Sequence, residues 1–202
     1  GNGNSCTTTV MVEDTTPPVI TCPSPTTAEC TGARQASVDP GVASASDICT
    51  TAAVNQPGAG TYPLGTTTVA YSATDLSANH SNCETTVTVQ DTTAPSVTCP
   101  APKVAECTGN GQASVDPGDA STSDLCTSAS VNHPGAGTYA LGPPSVEYTA
   151  VAEAGNQSRC ATTVTVQDTI APTLDCPAPR VAECVSNRQA VVDPGDATAS
   201  DS

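Results

Sequence analysis

The sequence predicts an all-β protein of tandem two-sheet sandwiches, 77 residues each and stapled by disulfides. Three observations carry that expectation. The phrase "VEDTTPPVITCPSP" from Val12 returns as "VQDTTAPSVTCPAP" from Val89 and as "VQDTIAPTLDCPAP" from Val166, a spacing of 77 residues both times. The cysteines keep the same period: Cys6, Cys83 and Cys160 form one class, Cys22, Cys99 and Cys176 a second, Cys30, Cys107 and Cys184 a third, and Cys49 and Cys126 a fourth. Between them apolar and polar residues alternate with a period of two, and no stretch shows a helical period.

The elements follow in order along the first complete repeat. "PVITC", "PTTAEC", "RQASVDP", "TTAAVNQ" and "GTYPLG" are short strand candidates separated by "DPG", "QPGAG" and "PLG" turn signals. "TTVAYSATD" is a longer strand that places Val69, Tyr71 and Ala73 inward, and the next copy puts Val146, Tyr148 and Ala150 at those positions. "ETTVTVQD" closes the repeat with Val87 and Val89 inward and Thr86, Thr88 and Gln90 outward. Seven short strands with a turn every eight to twelve residues describe an antiparallel two-sheet sandwich. The expected boundaries are 1–14 for the last strand of a preceding repeat, 15–91 and 92–168 for complete repeats, and 169–202 for the first part of another. Incomplete repeats at both ends read as a window of a longer array.

Composition narrows the function. A 77-residue unit buries a modest core, and with no Phe or Trp, four Tyr and one Met that core must be Val, Ala, Leu and Ile, so covalent staples are expected. Eleven cysteines without a C-x-x-C pair, beside only two histidines, point to disulfides made in an oxidising compartment, hence an extracellular protein, secreted or on the cell surface. A net charge of −15 disfavours nucleic acid and anionic lipid as partners. No apolar run approaches the length of a membrane span.

"DTTPPVITCP", then "SDIC", then "YPLGTTTVAYSATDLSANHSNCETTVTVQDTTAP" resembles the hyalin-repeat (HYR) module. The family's common "DNC" stands here as "DIC" at 47–49 and "DLC" at 124–126, and Asp75 has no acidic counterpart at Ala152, although Glu153 follows it. The resemblance implies an immunoglobulin-like extracellular module found in tandem in surface, matrix and adhesion proteins, and no single activity.

Alternating strand direction returns the loop before Cys49 and the loop at 75–82 to the pole where the chain enters. Four cysteines per repeat permit three connectivities. The local one is expected: Cys22 with Cys30, Cys49 with Cys83, Cys99 with Cys107, Cys126 with Cys160 and Cys176 with Cys184, leaving Cys6 to a partner upstream. The same pole gathers carboxylates, Asp14 with Asp47 and Asp75, Asp91 with Asp124 and Glu153, and Asp168 with Asp201. Such hard oxygen ligands at a junction between repeats suit Ca²⁺; the alternative is that they cap turns facing water. "NHS" at Asn79 and "NQS" at Asn156 fit the N-glycosylation pattern. His80 and His133 are not equivalent, and nothing resembles a catalytic triad, so no enzyme is expected.

The expected function is therefore structural: a stiff extracellular rod or fibre of disulfide-stapled beads, whose partners are further copies of the same repeat. The alternative is an adhesin stalk or a module that binds a surface glycan or a protein. An exposed aromatic platform would favour that alternative, with Tyr62 and Tyr139 as its candidates.

Overall fold

In the computed structural model, which describes residues 1–108 and 110–201, the described residues contain strands and no helix. The chain divides into two compact units. Unit 1 comprises Gly1–Ala94 with Asp124–Ser128 and Ala152–Asn156; unit 2 comprises Pro95–Ser123, Ala129–Val151 and Gln157–Ser202.

In unit 1 the strands are β1 (Val19–Thr21), β2 (Thr26–Glu29), β3 (Gln35–Val38), β4 (Ser44–Ser46), β5 (Ala52–Asn55), β6 (Gly60–Pro63), β7 (Gly65–Asp75) and β8 (His80–Gln90). The last two form the long hairpin the alternation foretold, in a register that sets Val69 opposite Thr85 and Tyr71 opposite Cys83. With β2 and β5 they make a four-stranded sheet in the order β2-β8-β7-β5. The pairs β1-β4 and β3-β6 cover its inner face. Ile20, Ala36, Val38 and Tyr62 from those pairs pack with Val69, Tyr71, Val87 and Val89 in one core. Each buried valine contributes on the order of 1.5–3 kcal/mol, so a core without large aromatics depends on many small contributions.

Unit 2 repeats the plan with β9 (Ser96–Thr98), β10 (Lys103–Glu106), β11 (Gln112–Val115), β12 (Ser121–Ser123), β13 (Ala129–Val131), β14 (Gly137–Ala140), β15 (Ser145–Ala152) and β16 (Gln157–Gln167). Its four-stranded sheet runs β10-β16-β15-β13, and Val146, Tyr148, Val164 and Val166 fill the core. A further pair, β17 (Thr173–Asp175) with β18 (Thr198–Ser200), repeats the β1-β4 pairing.

Three features depart from expectation. The sheets are not wholly antiparallel: β2 runs parallel to β8, and β10 parallel to β16. Pro23 and Pro25 explain the crossing, because proline cannot continue donating to the β1-β4 ladder and fixes its own φ, so the chain leaves one sheet and joins the other. Residues 1–14 form no strand; the strands that flank β8 are β7 and β2, and residues 1–14 have no such neighbours within the sequence. Tyr62 and Tyr139 are not an outer platform but are partly buried against the two cores.

The inward tyrosines have polar ends to satisfy. Tyr71 donates its hydroxyl to the Gly41 carbonyl at 3.0 Å, and Tyr148 donates to that of Gly118. Burial raises both phenol pKa values above the ordinary 10.0. Gly41 takes a left-handed φ of 93°, and a Cβ there would lie 2.9 Å from Pro23 Cβ, which is why "DPG" needs its glycine.

Candidate functional site

The parallel strand decides where the cysteines go. Because β2 runs alongside β8 in the same direction, it carries Cys30 to the end where the repeat finishes, and Cys30 N–H donates to the Gln90 carbonyl at 2.8 Å. Cys22 stays at the other end, beside the start of β8. The expected local pairings are therefore replaced. Cys22 bonds Cys83 and Cys99 bonds Cys160, each across a separation of 61 residues with Cα atoms 5.9 Å apart. Cys30 bonds Cys126, 96 residues away. That third bond joins a cysteine of the first sequence repeat to one of the second, within unit 1. Cys49 and Cys83 are not joined, nor are Cys126 and Cys160, nor Cys176 and Cys184. Cys6, Cys49, Cys176 and Cys184 are exposed thiols, and Cys107 is buried outside these three bridges.

The Cys30–Cys126 contact is built from two short motifs. After β2 the chain makes a tight hairpin, with Thr31 N–H donating to Gln35 O at 3.0 Å and Gln35 N–H to Gly32 O at 3.1 Å, while Ala33 and Arg34 take φ values of 47° and 61°. This hairpin meets the "DLC" turn, where Asp124 Oδ1 accepts the N–H groups of Cys126 and Thr127 at 2.9 and 2.8 Å. Arg34 then makes two contacts of its own. Its N–H donates to the Cys126 carbonyl at 3.1 Å, and its guanidinium reaches Glu153 Oε2 at 2.7 Å. The sulfurs end up enclosed, Cys30 being 4 % and Cys126 6 % exposed.

The carboxylates sort into separate settings. Asp91, 9 % exposed, accepts the Thr127 hydroxyl on Oδ2 at 2.9 Å, and the same hydroxyl lies 3.4 Å from Asp124 Oδ1. Asp91 Oδ1 and Asp124 Oδ2 are buried and lack a hydrogen-bond partner among the described residues. The equivalents one repeat earlier, Asp14 and Asp47, group with Cys49 so that one ligand atom from each lies within 4.8 Å of the others. Asp75 is engaged elsewhere: its two oxygens accept the Ser77 and Asn79 N–H groups and the Asn79 amide, all at 2.9 Å. Burial is the largest influence on Asp75 and pushes its carboxyl upward, but these bonds outweigh it and hold the group below 3.8. Glu153 is held below 4.5 by the hydrogen bond from Arg34 and its charge. Asp168 is exposed and accepts the Ile170 N–H in its own turn, and Asp201 is exposed.

The HYR domain family matches residues 13–89. That stretch is a HYR domain. Two relatives align over 86 % of the chain: Hyalin of Strongylocentrotus purpuratus at 36 % identity over 191 residues, and Hyalin of Lytechinus variegatus at 32 % over 199 residues. The chain spans 16 % and 36 % of the lengths of those two proteins. A solved structure of PcdhgB3 EC1-4 overlays on 81 % of this chain and 54 % of its own with 12 % identity and a TM-score of 0.30, a value that supports no argument.

Both units also use residues that sequence reasoning passed over. Glu29, at the end of β2, grips the linker beyond β8: Oε1 accepts the Thr92 N–H at 2.7 Å and Oε2 its hydroxyl at 2.8 Å. Glu106 holds Thr169 in the same two ways. The Thr92 and Thr169 backbone bonds are the main reason both carboxyls lie below 4.5. The available signal was the recurrence of Glu in "AEC" at 29, 106 and 183. Asn79 and Asn156 have a visible structural part as well, donating their amides to the Asp14 and Asp91 carbonyls at 3.2 and 2.9 Å. His80 Nδ1 pairs with the Thr74 hydroxyl at 2.8 Å, and His133 Nδ1 lies 3.2 Å from Asp119. Among the described residues no helix is long and apolar enough to cross a membrane.

Proposed function

We propose that this chain is a stretch of an extracellular structural array in which every HYR-type repeat carries one internal staple and one covalent tie to the repeat that follows it. The Cys30–Cys126 bond supports this reading above all. A tie of that kind limits separation of successive repeats under load, which is the requirement of a rod or fibre in an adhesive matrix. The similarity to two Hyalins agrees with such a role. The partial burial of Tyr62 and Tyr139 against the two cores weighs against an aromatic platform of the kind that would favour a glycan-binding module.

Non-reducing peptide mapping tests the core of the proposal. It should recover Cys22 with Cys83, Cys99 with Cys160 and Cys30 with Cys126. Recovery of Cys22 with Cys30 would reject it. Electron microscopy of the native material should show long, thin filaments, whereas compact particles would reject the rod.

A divalent cation is part of the same proposal, now restricted to Asp91 and Asp124 and to their equivalents Asp14 and Asp47. Three buried carboxylate oxygens without partners among the described residues, on Asp47, Asp91 and Asp124, support it, because Ca²⁺ takes hard oxygen ligands and would offset the repulsion between the groups. Terbium luminescence on titration should detect the site, and Asp91→Asn should weaken it. No sensitised emission, together with the same melting temperature in calcium and in chelator, would leave the carboxylates as turn caps.

A further inference from the structure

The two bridges inside the repeats decide how tension crosses each one. Followed along covalent bonds, the chain comes in through β1 to Cys22, steps across the bridge to Cys83, runs down β8 and passes through β9 to Cys99, where the step to Cys160 repeats the route. Everything between Cys22 and Cys83, a separation of 61 residues, hangs outside that route as a closed loop, and so does the stretch from Cys99 to Cys160. The loops hold most of each core: Ala36, Val38, Val69 and Tyr71 lie in the first, Ala113, Val146 and Tyr148 in the second. The route itself is largely strand, with residues 83–90 in β8, 96–98 in β9, 160–167 in β16 and 173–175 in β17. A strand already rises about 3.2–3.4 Å per residue where a fully drawn chain reaches about 3.3–3.6 Å. Little slack is left to draw out.

From this routing we infer that tension runs along a covalent spine, made of residues 83–99, their equivalents 160–176 and the two bridges, while the sandwich loops carry none of it. The inference rests on the array reading, which supplies the load. A sandwich could then open and close again without changing the length of the array. Its core serves to bring Cys22 to Cys83, and Cys99 to Cys160, so that the bridges form.

The Cys30–Cys126 bond acquires a second part in this scheme. Should the Cys22–Cys83 bridge open, tension can pass from Cys22 on to Cys30, cross to Cys126, return along the chain to Cys99 and cross to Cys160. That detour lengthens the route by about 20 residues, roughly 65 Å when drawn out, against roughly 200 Å for release of the whole loop. Because the bridged Cα atoms lie only 5.9 Å apart, almost all of the released chain appears as new length.

Single-molecule stretching of the full chain tests the spine, with handles on the exposed thiols Cys6 and Cys176, and with Cys49→Ser and Cys184→Ser to remove the other exposed ones. The oxidised chain should show no abrupt gain near 200 Å at any force that leaves the bridges intact, and reduction should release one such gain per sandwich. Cys22→Ser with Cys83→Ser should lengthen the drawn chain by about 65 Å, and adding Cys126→Ser should raise this to about 200 Å. These lengths are read at full extension, so they report the covalent route even in a variant whose sandwich no longer folds. Gains near 200 Å in the oxidised chain, or in the Cys22, Cys83 variant with its Cys30–Cys126 peptide intact, would overturn the spine or its detour respectively. An oxidised chain that does not lengthen but yields no Cys30–Cys126 peptide would keep the spine and overturn the tie between repeats.

Discussion

Glu29, Glu106 and Asp124 act alike at the scale of single residues: each is half-buried and presents a carboxylate that accepts backbone N–H groups, and each titrates below its ordinary range because those bonds favour the ionised form. A carboxylate with a lowered folded pKa contributes stability that is present above its unfolded value and disappears as pH falls through the folded one. Thermal melts should therefore hold steady down to pH 4.5, the ordinary Glu value, and decline below it. Glu29→Gln should flatten part of that decline, and an identical acid limb in the variant would remove Glu29 from the account. Tyr148→Phe probes a different bond. Losing the hydroxyl to the Gly118 carbonyl should cost about 0.5–1.5 kcal/mol in denaturant titration, with the β-sheet signal retained.

Among the elements, the long hairpin of β7 and β8 was readable because the alternation in "TTVAYSATD" and "ETTVTVQD" leaves one face to bury. The inward set Val69, Tyr71, Ala73, Val87 and Val89 follows from that alternation alone. The path of β2 was not readable in the same way. A four-residue strand preceded by two prolines says that a ladder is interrupted and leaves open which sheet is joined next. All the pairing errors descend from that single choice: once β2 crosses over, Cys30 moves to the opposite end from Cys22. The carboxylates were located by type and spacing, but distinguishing Asp91 from Asp75 required knowing which oxygens already had partners. In the chain-entropy account, bonds spanning 61 and 96 residues stabilise by about 4.3 and about 4.7 kcal/mol, with strain subtracting from both. Cys126→Ser should accordingly lower stability by about 2–5 kcal/mol while Cys22–Cys83 and Cys99–Cys160 remain recoverable by mapping. Scrambling of those two would show that the third bond directs the others.

For the molecule as a whole, the sequence period and the compact unit do not coincide. Unit 1 takes in Asp124–Ser128 and Ala152–Asn156, two loops that the 77-residue period assigns to the following repeat. A fragment cut at the sequence boundary, residues 15–91, lacks those loops and the partner of Cys30. It should melt lower than residues 15–168, and equal melting temperatures would show that the borrowed loops add nothing.

The bond from Cys30 to Cys126 has a consequence for damage. Neither of the other two disulfides encloses the linker between Cys83 and Cys99, so without the third a single protease cut there would sever the thread. With it, the cut ends are still tied through sulfur, as a rope keeps its length when one strand of a splice is nicked. After limited proteolysis in that linker the protein should run as one piece on a non-reducing gel and as two after reduction. In a matrix exposed to secreted proteases, wear would then accumulate as silent nicks rather than as breaks.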